Sequence, residues 1–458
     1  MTDTSSHGTS DGRSDRTSRG AEQLWAALGG DPELMGRIAY SGPRGLLAAR
    51  LPVMELARAT VAVCALAAAE YAARGAGGPV PAVRVDDAAV ATAFVSERHL
   101  LVDGRAPVTF APLSRFWRTA DGWVRTHANY PHHRAALLTA LDTDEDGVES
   151  ALAARRSLDV EEAVYAAGGL AVALRTPGEW AAHPQGVLAA RRPLLTRERL
   201  DDTAPRRRSR PLRVLDLTRV IAGPVATRTL ALLGADVLRI DPPRLPELPD
   251  QHADTGFGKR STTLDLDSPA DRRTLDELLD AADVLVTGYR PGALDGYGLT
   301  RPGLVVAQLS AWGDDGPWGG RRGFDSLVQV ASGIAVVEGS PDRPGALPAQ
   351  ALDHGTGYLL AAAVLRSLTE QEREGGTRLV RLALARTARF LTHGLSPAAP
   401  GGGADDGDAA YGPGRRLAGT DSPLGRLRYA LPPVSFAGAP EDWSRPPGKW
   451  GADAPRWA

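Results

Sequence analysis

The sequence has almost no cysteine: Cys64 is the single one among 458 residues. One cysteine cannot form an intramolecular disulfide, which excludes a small secreted domain built on disulfides. The formal net charge of -2 leaves no basic footprint for nucleic acid. No uninterrupted apolar run reaches the roughly 20 residues that a membrane helix needs. Because the first residues also lack the apolar core of a signal peptide, we expect a cytoplasmic protein that does not bind membranes.

What the sequence does contain is an alternation of strands and helices that begins near residue 212. Val214-Leu215-Asp216-Leu217 is typical of a buried strand, and Val237-Leu238-Arg239-Ile240 of the next one. An apolar-periodic helix separates them, and strand–helix–strand in about thirty residues is a βαβ unit. Two further apolar runs, 283–286 and 305–309, predict additional strands. We therefore predict an α/β fold with a doubly wound, Rossmann-like parallel sheet and a smaller α+β domain, with ligands at the strand C-termini.

Changes in composition divide the chain into five predicted segments. They are a disordered arm (1–22), a small α+β domain (23–205), the Rossmann-like domain (211–396), a flexible linker (397–419) and a C-terminal tail that packs back on the fold (420–458). The arm is rich in Ser, Thr, Asp and Gly, and the linker in Gly, Ala and Asp, compositions that cannot bury a core.

Two long helices of the sequence resemble each other. Glu55 begins one that runs to a Gly-Gly pair and a short strand, and Asp353 begins another with the same continuation. In this register Glu55 corresponds to Asp353, and Ala59 to Gly357. The shared order favours an internal duplication, while chance similarity between two Ala-rich helices is the alternative.

Asp353 is the candidate catalytic residue. An unperturbed aspartate is ionised at neutral pH, and a helix N-terminus stabilises its charge. Gly355 and Gly357 would let a substrate approach the backbone closely. Taken alone, the same position also suits an ordinary helix N-cap.

A series of motifs carries a resemblance to a known family. The motifs lie at 214–224, 233–241, 258–261, 265–266, 283–286, 289–292, 312–318 and 323–325, and end at Asp353. In content and order they resemble the class III CoA-transferases, a family that includes formyl-CoA and carnitine CoA-transferases and α-methylacyl-CoA racemases. Residues 80–200 resemble the family's small domain, but here they precede the sheet domain, as in a permuted or truncated tandem chain.

The resemblance implies an enzyme that moves CoA from an acyl-CoA thioester to a carboxylate acceptor. It implies that Asp353 is the nucleophile, that no cofactor or metal is permanently bound, and that the chain forms a homodimer, the family's own subunits being interlocked. It also implies six residues around the CoA substrate: Ala222, Gly223, Arg239, Lys259, Arg260 and Arg290.

Three alternative functions remain open at this point. A racemase needs a second acid/base group, but Phe324 occupies the place where that branch has a histidine. Leu352, where the transferases usually have glycine, favours a degenerate scaffold. A dehydrogenase is disfavoured because the first strand–helix turn lacks G-x-G-x-x-G, although Asp241 could mimic a ribose-binding acid.

The sequence also contains a cluster of three histidines, His127, His132 and His133. No carboxylate or cysteine at the spacing of a metal site accompanies them, so we expect surface histidines.

Overall fold

The structure is a computed structural model that describes residues 18–43, 45–205, 211–340, 342–396 and 411–458. Its first part contains α1 (Arg19–Ala27), β1 (Ile38–Ser41), α2 (Val53–Ala76), β2 (Val83–Asp86), α3 (Asp87–Ala93), α4 (Ser96–His99) and β3 (Leu101–Val102). The middle part contains β4 (Phe116–Arg118), β5 (Trp123–Thr126), α5 (Pro131–Leu141), α6 (Val148–Ala153), α7 (Ser157–Ala166), β6 (Ala171–Ala173), α8 (Pro177–Ala182), α9 (Pro184–Arg191) and β7 (Leu195–Arg199).

The second half of the chain supplies most of the central sheet. Its elements are β8 (Arg213–Leu217), α10 (Ala222–Leu232), β9 (Asp236–Asp241), α11 (Pro249–Thr255), β10 (Arg260–Thr263), α12 (Pro269–Asp280), β11 (Val284–Thr287), β12 (Val305–Ser310), α13 (Asp325–Ala331), α14 (Ile334–Val337), α15 (Ala351–Glu374), β13 (Arg378–Ala383) and α16 (Leu384–Arg389). They are followed by β14 (Leu417–Ser422) and β15 (Gly425–Ala430).

The central sheet has seven strands in the order β10-β9-β8-β11-β12-β13-β7. The first six are parallel, and β7 pairs antiparallel with β13. The strand order reverses between β8 and β11, as it does in doubly wound sheets, and this confirms the predicted fold class. Ligands of such sheets bind at the carboxyl ends of the strands beside that reversal.

Helices cover the sheet on both faces, which buries the apolar side chains of its strands from two directions. On one face α10 and α15 pack together, and α2 packs on α15. On the other face Leu275, Leu278 and Leu279 of α12 pack against β8, β9 and β11. Gly357 makes close packing of α10 and α15 possible, because a Cβ there would lie 2.6 Å from the Ala222 carbonyl oxygen.

Residues 23–205, predicted as one small domain, divide among three cores in the structure. Leu56, Val61 and Leu66 of α2 are fully buried in the same core as the central sheet. The reason is physical: a helix that is apolar around its whole circumference must be covered on all sides. Strand β7 also joins the central sheet. The three-stranded sheet β4-β5-β6 and α5, α6 and α7 form a separate core, and Leu100 packs in a third one with Leu427 and Tyr429 of β15.

The predicted arm, linker and tail contain regular structure where the structure describes them. Residues 1–17 of the predicted arm and 397–410 of the predicted linker lie outside the described residues. Ser18 accepts a hydrogen bond from the Ala21 amide and caps α1, so the helix begins inside the predicted arm. Strands β14 and β15 form a hairpin that adds to β3. The residues after it lie against the central sheet, where the Trp457 indole donates to the Leu278 carbonyl. No helix in the described ranges combines the length and hydropathy required to cross a bilayer.

Candidate functional site

Asp353 is the third residue of α15 and lies at the meeting point of two cavities. The residue is 6% exposed. No side chain caps the helix start at Gln350, so Asp353 is not the N-cap of α15. Its carboxyl group lies in the first turn, where the helix dipole stabilises negative charge. The arrangement combines a buried carboxylate with access to two binding spaces.

A second buried carboxylate, Asp325, fixes the start of this helix. It accepts a hydrogen bond of 2.9 Å from the backbone N–H of Asp353. It accepts another from the side-chain amide of Gln329, and the carbonyl oxygen of that amide accepts from the Leu347 N–H at 2.9 Å. Asp325 therefore positions the backbone that carries Asp353.

The environment makes Asp353 hard to ionise. Burial raises the pKa of its carboxyl group well above the usual value, and the charges of Asp325 and Glu97 raise it further. Burial also raises the pKa of Asp325, although the Asp353 N–H and Gln329 partly offset the effect. Carboxyl groups with raised pKa values in a cleft are candidates for acid, base or nucleophile roles.

Glu97 reaches the same site from α4, in the first part of the chain. Its Oε2 lies 3.4 Å from Nε2 of His354, the residue after Asp353, and both side chains are buried. Burial by itself would raise the pKa of Glu97, but the hydrogen bond and charge of His354 outweigh it and lower that pKa. Phe94 packs on the His354 ring at 5.3 Å between centroids. Glu97 is thus held at the cavity wall as an anion.

The first of the two cavities, which we call the acidic cavity, has a volume of about 260 Å³. Among the residues that the structure describes, its wall contains four carboxylates and many apolar or aromatic side chains, but neither lysine nor arginine. The lining residues used below are Glu97, Val108, Phe110, Asp250, Phe324, Asp325, Ser326 and Asp353.

The second cavity, which we call the basic cavity, also has a volume of about 260 Å³. Four arginines line it: Arg219, Arg290, Arg321 and Arg322. Asp353, Tyr130, Val220 and Phe324 line both cavities. A single carboxylate therefore separates a space with arginines from a space without them.

Two of these arginines are available to an anion. Arg219 and Arg321 each pair with a glutamate, whereas within the described residues Arg290 and Arg322 contact no carboxylate. Burial lowers the pKa of Arg322, and the charge of Arg290 lowers it further. Two neighbouring guanidinium groups without a counter-charge are well suited to phosphate.

The loop between β8 and α10 carries strain beside the site. Val220, which lines both cavities, has φ of +69°, a conformation that β-branched residues rarely adopt. Its backbone N–H donates to Glu247 at 3.0 Å, and Arg239 donates to the same carboxylate at 2.9 Å. The buried ion pair holds the loop in this conformation. Strain of this kind is concentrated at ligand-binding sites.

Of the predicted CoA contacts, two line the basic cavity. Ala222, the first residue of α10, and Arg290 face it. Gly223 lies beside them but lines neither cavity; a Cβ at that position would come within 2.4 Å of Thr218, so the glycine permits a close turn.

The other three predicted contacts are engaged elsewhere. Arg239 is 1% exposed and bound to Asp241 and Glu247, and Lys259 is 3% exposed, with Nζ 2.9 Å from Asp216. Arg260 pairs with Asp236 at 2.7 Å. None of the three lines either cavity. Their charges are neutralised inside the protein, so this geometry offers no support for phosphate binding by them.

The histidine prediction was also wrong in part. His127 and His133 are buried, and only His132 is exposed. The His127 ring stacks on Phe324 with 3.7 Å between centroids and 5° between planes. Burial lowers the pKa of His127 to about 3, so the ring is neutral at pH 7. These rings form an aromatic wall beside Asp353.

Three residues of the site were not predicted from the sequence: Glu97, Asp325 and Arg322. Asp325 and Arg322 flank Gly323-Phe324, a motif that was recognised, so the motif itself could have indicated them. Glu97 has no such signal, because Val95-Ser96-Glu97-Arg98 is typical of any short exposed helix. Only the packing of α4 against the site brings it into place.

Comparison with known proteins finds relatives of the sheet region. Residues 210–411 match the model of the family described as CoA-transferase family III. The sheet region of the chain is therefore similar to CoA-transferase family III. This confirms the resemblance inferred from the motifs.

Individual relatives match over the same region. The chain is 33% identical over 193 residues to the probable fatty acyl-CoA transferase Rv3272 of Mycobacterium tuberculosis, covering 38% of this chain and 49% of that protein. It is 34% identical over 192 residues to the formyl-CoA:oxalate CoA-transferase of Streptomyces coelicolor, covering 38% and 47%. A crystal structure of Rv3272 aligns at 34% identity over 40% of this chain and 54% of that chain, with a TM-score of 0.37. The chain spans about half the length of the curated relatives it matches.

Proposed function

We propose that the protein is a CoA-transferase that moves CoA from an acyl-CoA thioester to a carboxylate acceptor through a covalent intermediate on Asp353. The observation that carries the proposal is the position of this one carboxylate between the basic and the acidic cavity. In this proposal the anionic nucleotide part of CoA binds to Arg290 and Arg322, and the acyl group occupies the acidic cavity. The thioester carbonyl then lies between them, beside Asp353.

The reaction proceeds by carboxylate catalysis in which every step is a substitution at a carbonyl carbon. An oxygen of Asp353 attacks the thioester carbon, the C–S bond breaks, and a mixed anhydride and CoA thiolate are formed. The thiolate attacks the Asp353 carbonyl carbon of the anhydride, which releases the acyl group as a carboxylate and leaves an aspartyl–CoA thioester. The acceptor carboxylate repeats both steps in reverse order and departs as the new acyl-CoA.

The polypeptide contributes position and charge to these steps. Arg290 and Arg322 bind phosphate oxygens, and the N-terminal turn of α10 at Ala222 offers backbone N–H groups to the oxygen of the tetrahedral intermediate. Asp325 holds the backbone of Asp353 at the correct place. The buried aromatic wall excludes water, which would hydrolyse the anhydride.

The racemase alternative receives less support. It requires acid/base groups on both sides of the α-carbon, and Phe324 stands where the second group is expected. A degenerate scaffold would have no need of unneutralised arginines beside a carboxyl group of raised pKa. Exchange of the α-proton of a 2-methylacyl-CoA into D₂O, followed by NMR, separates racemase from transferase.

The decisive experiment uses peptide mass spectrometry. The full chain is incubated with butyryl-CoA, trapped with borohydride or hydroxylamine, digested and analysed. We expect modification of the peptide that contains Asp353, and none in Asp353→Asn. Glu55→Gln, at the corresponding position of α2, serves as the matched control and should label normally. Equal labelling of Asp353→Asn would exclude Asp353 as the residue that carries the covalent intermediate.

The CoA-binding arginines can be tested separately. Replacing Arg290 or Arg322 by Gln should raise KM for acyl-CoA about tenfold each, with a smaller change in kcat, because a phosphate contact acts equally on ground and transition state. Arg134, half exposed and paired with Glu145 on the surface, provides the control as Arg134→Gln. The homodimer implied by the family resemblance stays a prediction, which light scattering can check.

A further inference from the structure

The acidic cavity carries information about the substrate. We propose that it accepts only acyl groups and acceptor acids without a second negative charge, so that dicarboxylic substrates are excluded. This inference rests on the proposed function, because it assigns the acidic cavity to the acyl group.

The first argument is the charge of the wall. Glu97, Asp325 and Asp353 line the cavity, and no lysine or arginine of the described ranges does. The fourth carboxylate, Asp250, is paired with Arg105 at 2.5 Å and adds little. A second carboxylate on the acyl chain would meet the negative charge of Glu97, whose pKa is lowered, and at pH 7 that of Asp325, whose pKa is raised only to about 6. Like charges repel strongly in a space of low dielectric constant.

The second argument concerns the cations that lie behind the wall. The Arg125 guanidinium is held over the rings of Phe110 and Phe116, with its carbon 5.0 and 4.9 Å from their centroids. Arg125 is buried and does not line the cavity. His354 is already paired with Glu97. Polar groups that remain at the wall, such as Ser326, are neutral, and a buried carboxylate without a charged partner is costly.

The third argument is the contrast with the neighbouring space. Arg219, Arg290, Arg321 and Arg322 all line the basic cavity. The anionic part of CoA and an anionic acyl group would therefore compete for one side of the site. An uncharged acyl group can occupy the acidic cavity while the nucleotide occupies the basic one.

Two CoA esters of the same shape test the proposal. Succinyl-CoA and 4-methylpentanoyl-CoA have similar acyl volume, but only the first has a terminal carboxylate. We expect kcat/KM for succinyl-CoA to be at least about 100-fold lower. Rates within threefold of each other would overturn the proposal.

Variants relate the discrimination to the wall. Val108 is 71% exposed and lines the cavity, so Val108→Arg adds a cation without disturbing the core. It should reduce the ratio of kcat/KM for 4-methylpentanoyl-CoA to kcat/KM for succinyl-CoA at least about tenfold. Glu97→Gln should also reduce this ratio. Glu149→Gln, an 81% exposed side chain in a surface ion pair, should leave the ratio unchanged. If Val108→Arg and Glu97→Gln both leave the ratio at its wild-type value, the wall charge does not set specificity and the proposal is wrong.

A binding measurement keeps this inference distinct from the proposed function. Calorimetry on Asp353→Asn, which cannot form the adduct, should show weaker binding of succinyl-CoA than of 4-methylpentanoyl-CoA by about tenfold or more. If neither ester is turned over, the transferase proposal fails. Binding alone then tests the inference about the acidic cavity, and equal binding of the two esters would overturn that inference as well.

Discussion

Helices α2 and α15 have the same length and the same structural context, but the acids near their N-termini have different surroundings. Each is 24 residues long, has an acid as its third residue and ends at a glycine with φ of +68°. Each is followed by a strand that pairs in parallel with an earlier one, β2 with β1 and β13 with β12, and then by a short helix. Each packs against a preceding helix, α1 or α10, and they pack on each other.

Their acids have different neighbours. Glu55 accepts a hydrogen bond of 2.5 Å from Ser18 and lies 3.6 Å from Arg58, which also pairs with Asp87. Asp353 instead faces two cavities and a second carboxylate. The reason is the connection that precedes the helix: eleven residues separate β1 from α2, whereas forty separate β12 from α15 and include Asp325. A helix start supplies a carboxylate, but its surroundings decide whether that carboxylate can react.

Asp353→Asn should have the largest effect among the variants that test the difference between α2 and α15. We expect transferase activity to fall at least about 1000-fold, because a carboxamide cannot attack the thioester. The measurement is initial rate of CoA transfer from butyryl-CoA, with circular dichroism to check that the variant is folded. Substantial residual activity would point to Glu97 or Asp325 as the nucleophile.

Gly357→Ala should give the next largest effect. The added Cβ would meet the Ala222 carbonyl oxygen at 2.6 Å and the Val225 Cβ at 2.9 Å, so we expect a loss of roughly 1–3 kcal/mol of stability. Because Ala222 lines the basic cavity, KM for acyl-CoA should rise too. Urea unfolding and steady-state kinetics measure the two effects. Ala59→Gly, at the corresponding position of α2, should cost about 1 kcal/mol and leave KM unchanged.

The raised pKa of Asp353 predicts a pH dependence. Only the ionised carboxylate attacks, so kcat/KM should rise with pH as Asp353 loses its proton, over a range above the ordinary titration of aspartate. Asp325 contributes to this raised pKa through its like charge. Asp325→Asn should therefore move the rising limb to lower pH, while the Asn carbonyl can still accept the Asp353 N–H. A limb that stays in place would show that the two groups do not interact.

The smallest effect is expected for Glu55→Gln. Its ion pair with Arg58 is partly exposed, and such pairs contribute about 0–1 kcal/mol. Activity should stay within twofold of wild type, and the midpoint of urea unfolding should move little. A loss comparable to that of Asp353→Asn would mean that both helices carry active carboxylates, and the contrast between them would disappear.

The sequence by itself determined the sheet and its resemblance to CoA-transferase family III, and that resemblance implied the nucleophile candidate. Apolar runs such as 214–217 and 283–286 must be buried on both faces, which leaves few alternatives to a parallel sheet. The motif order pointed to Asp353, and the correspondence of Glu55 and Asp353 was visible as a repeated pattern. Local signals were sufficient because each of these features depends on residues close together in the chain.

Only the tertiary structure decided which charged residues line the two cavities. Arg239 and Lys259 were indistinguishable from ligand-binding residues in sequence, yet buried carboxylates on other elements neutralise them. Glu97 lies 256 positions from Asp353 along the chain and reaches it only through packing. The physical reason is that a charge acquires its role from its partners, and partners separated by hundreds of residues are chosen by the fold as a whole.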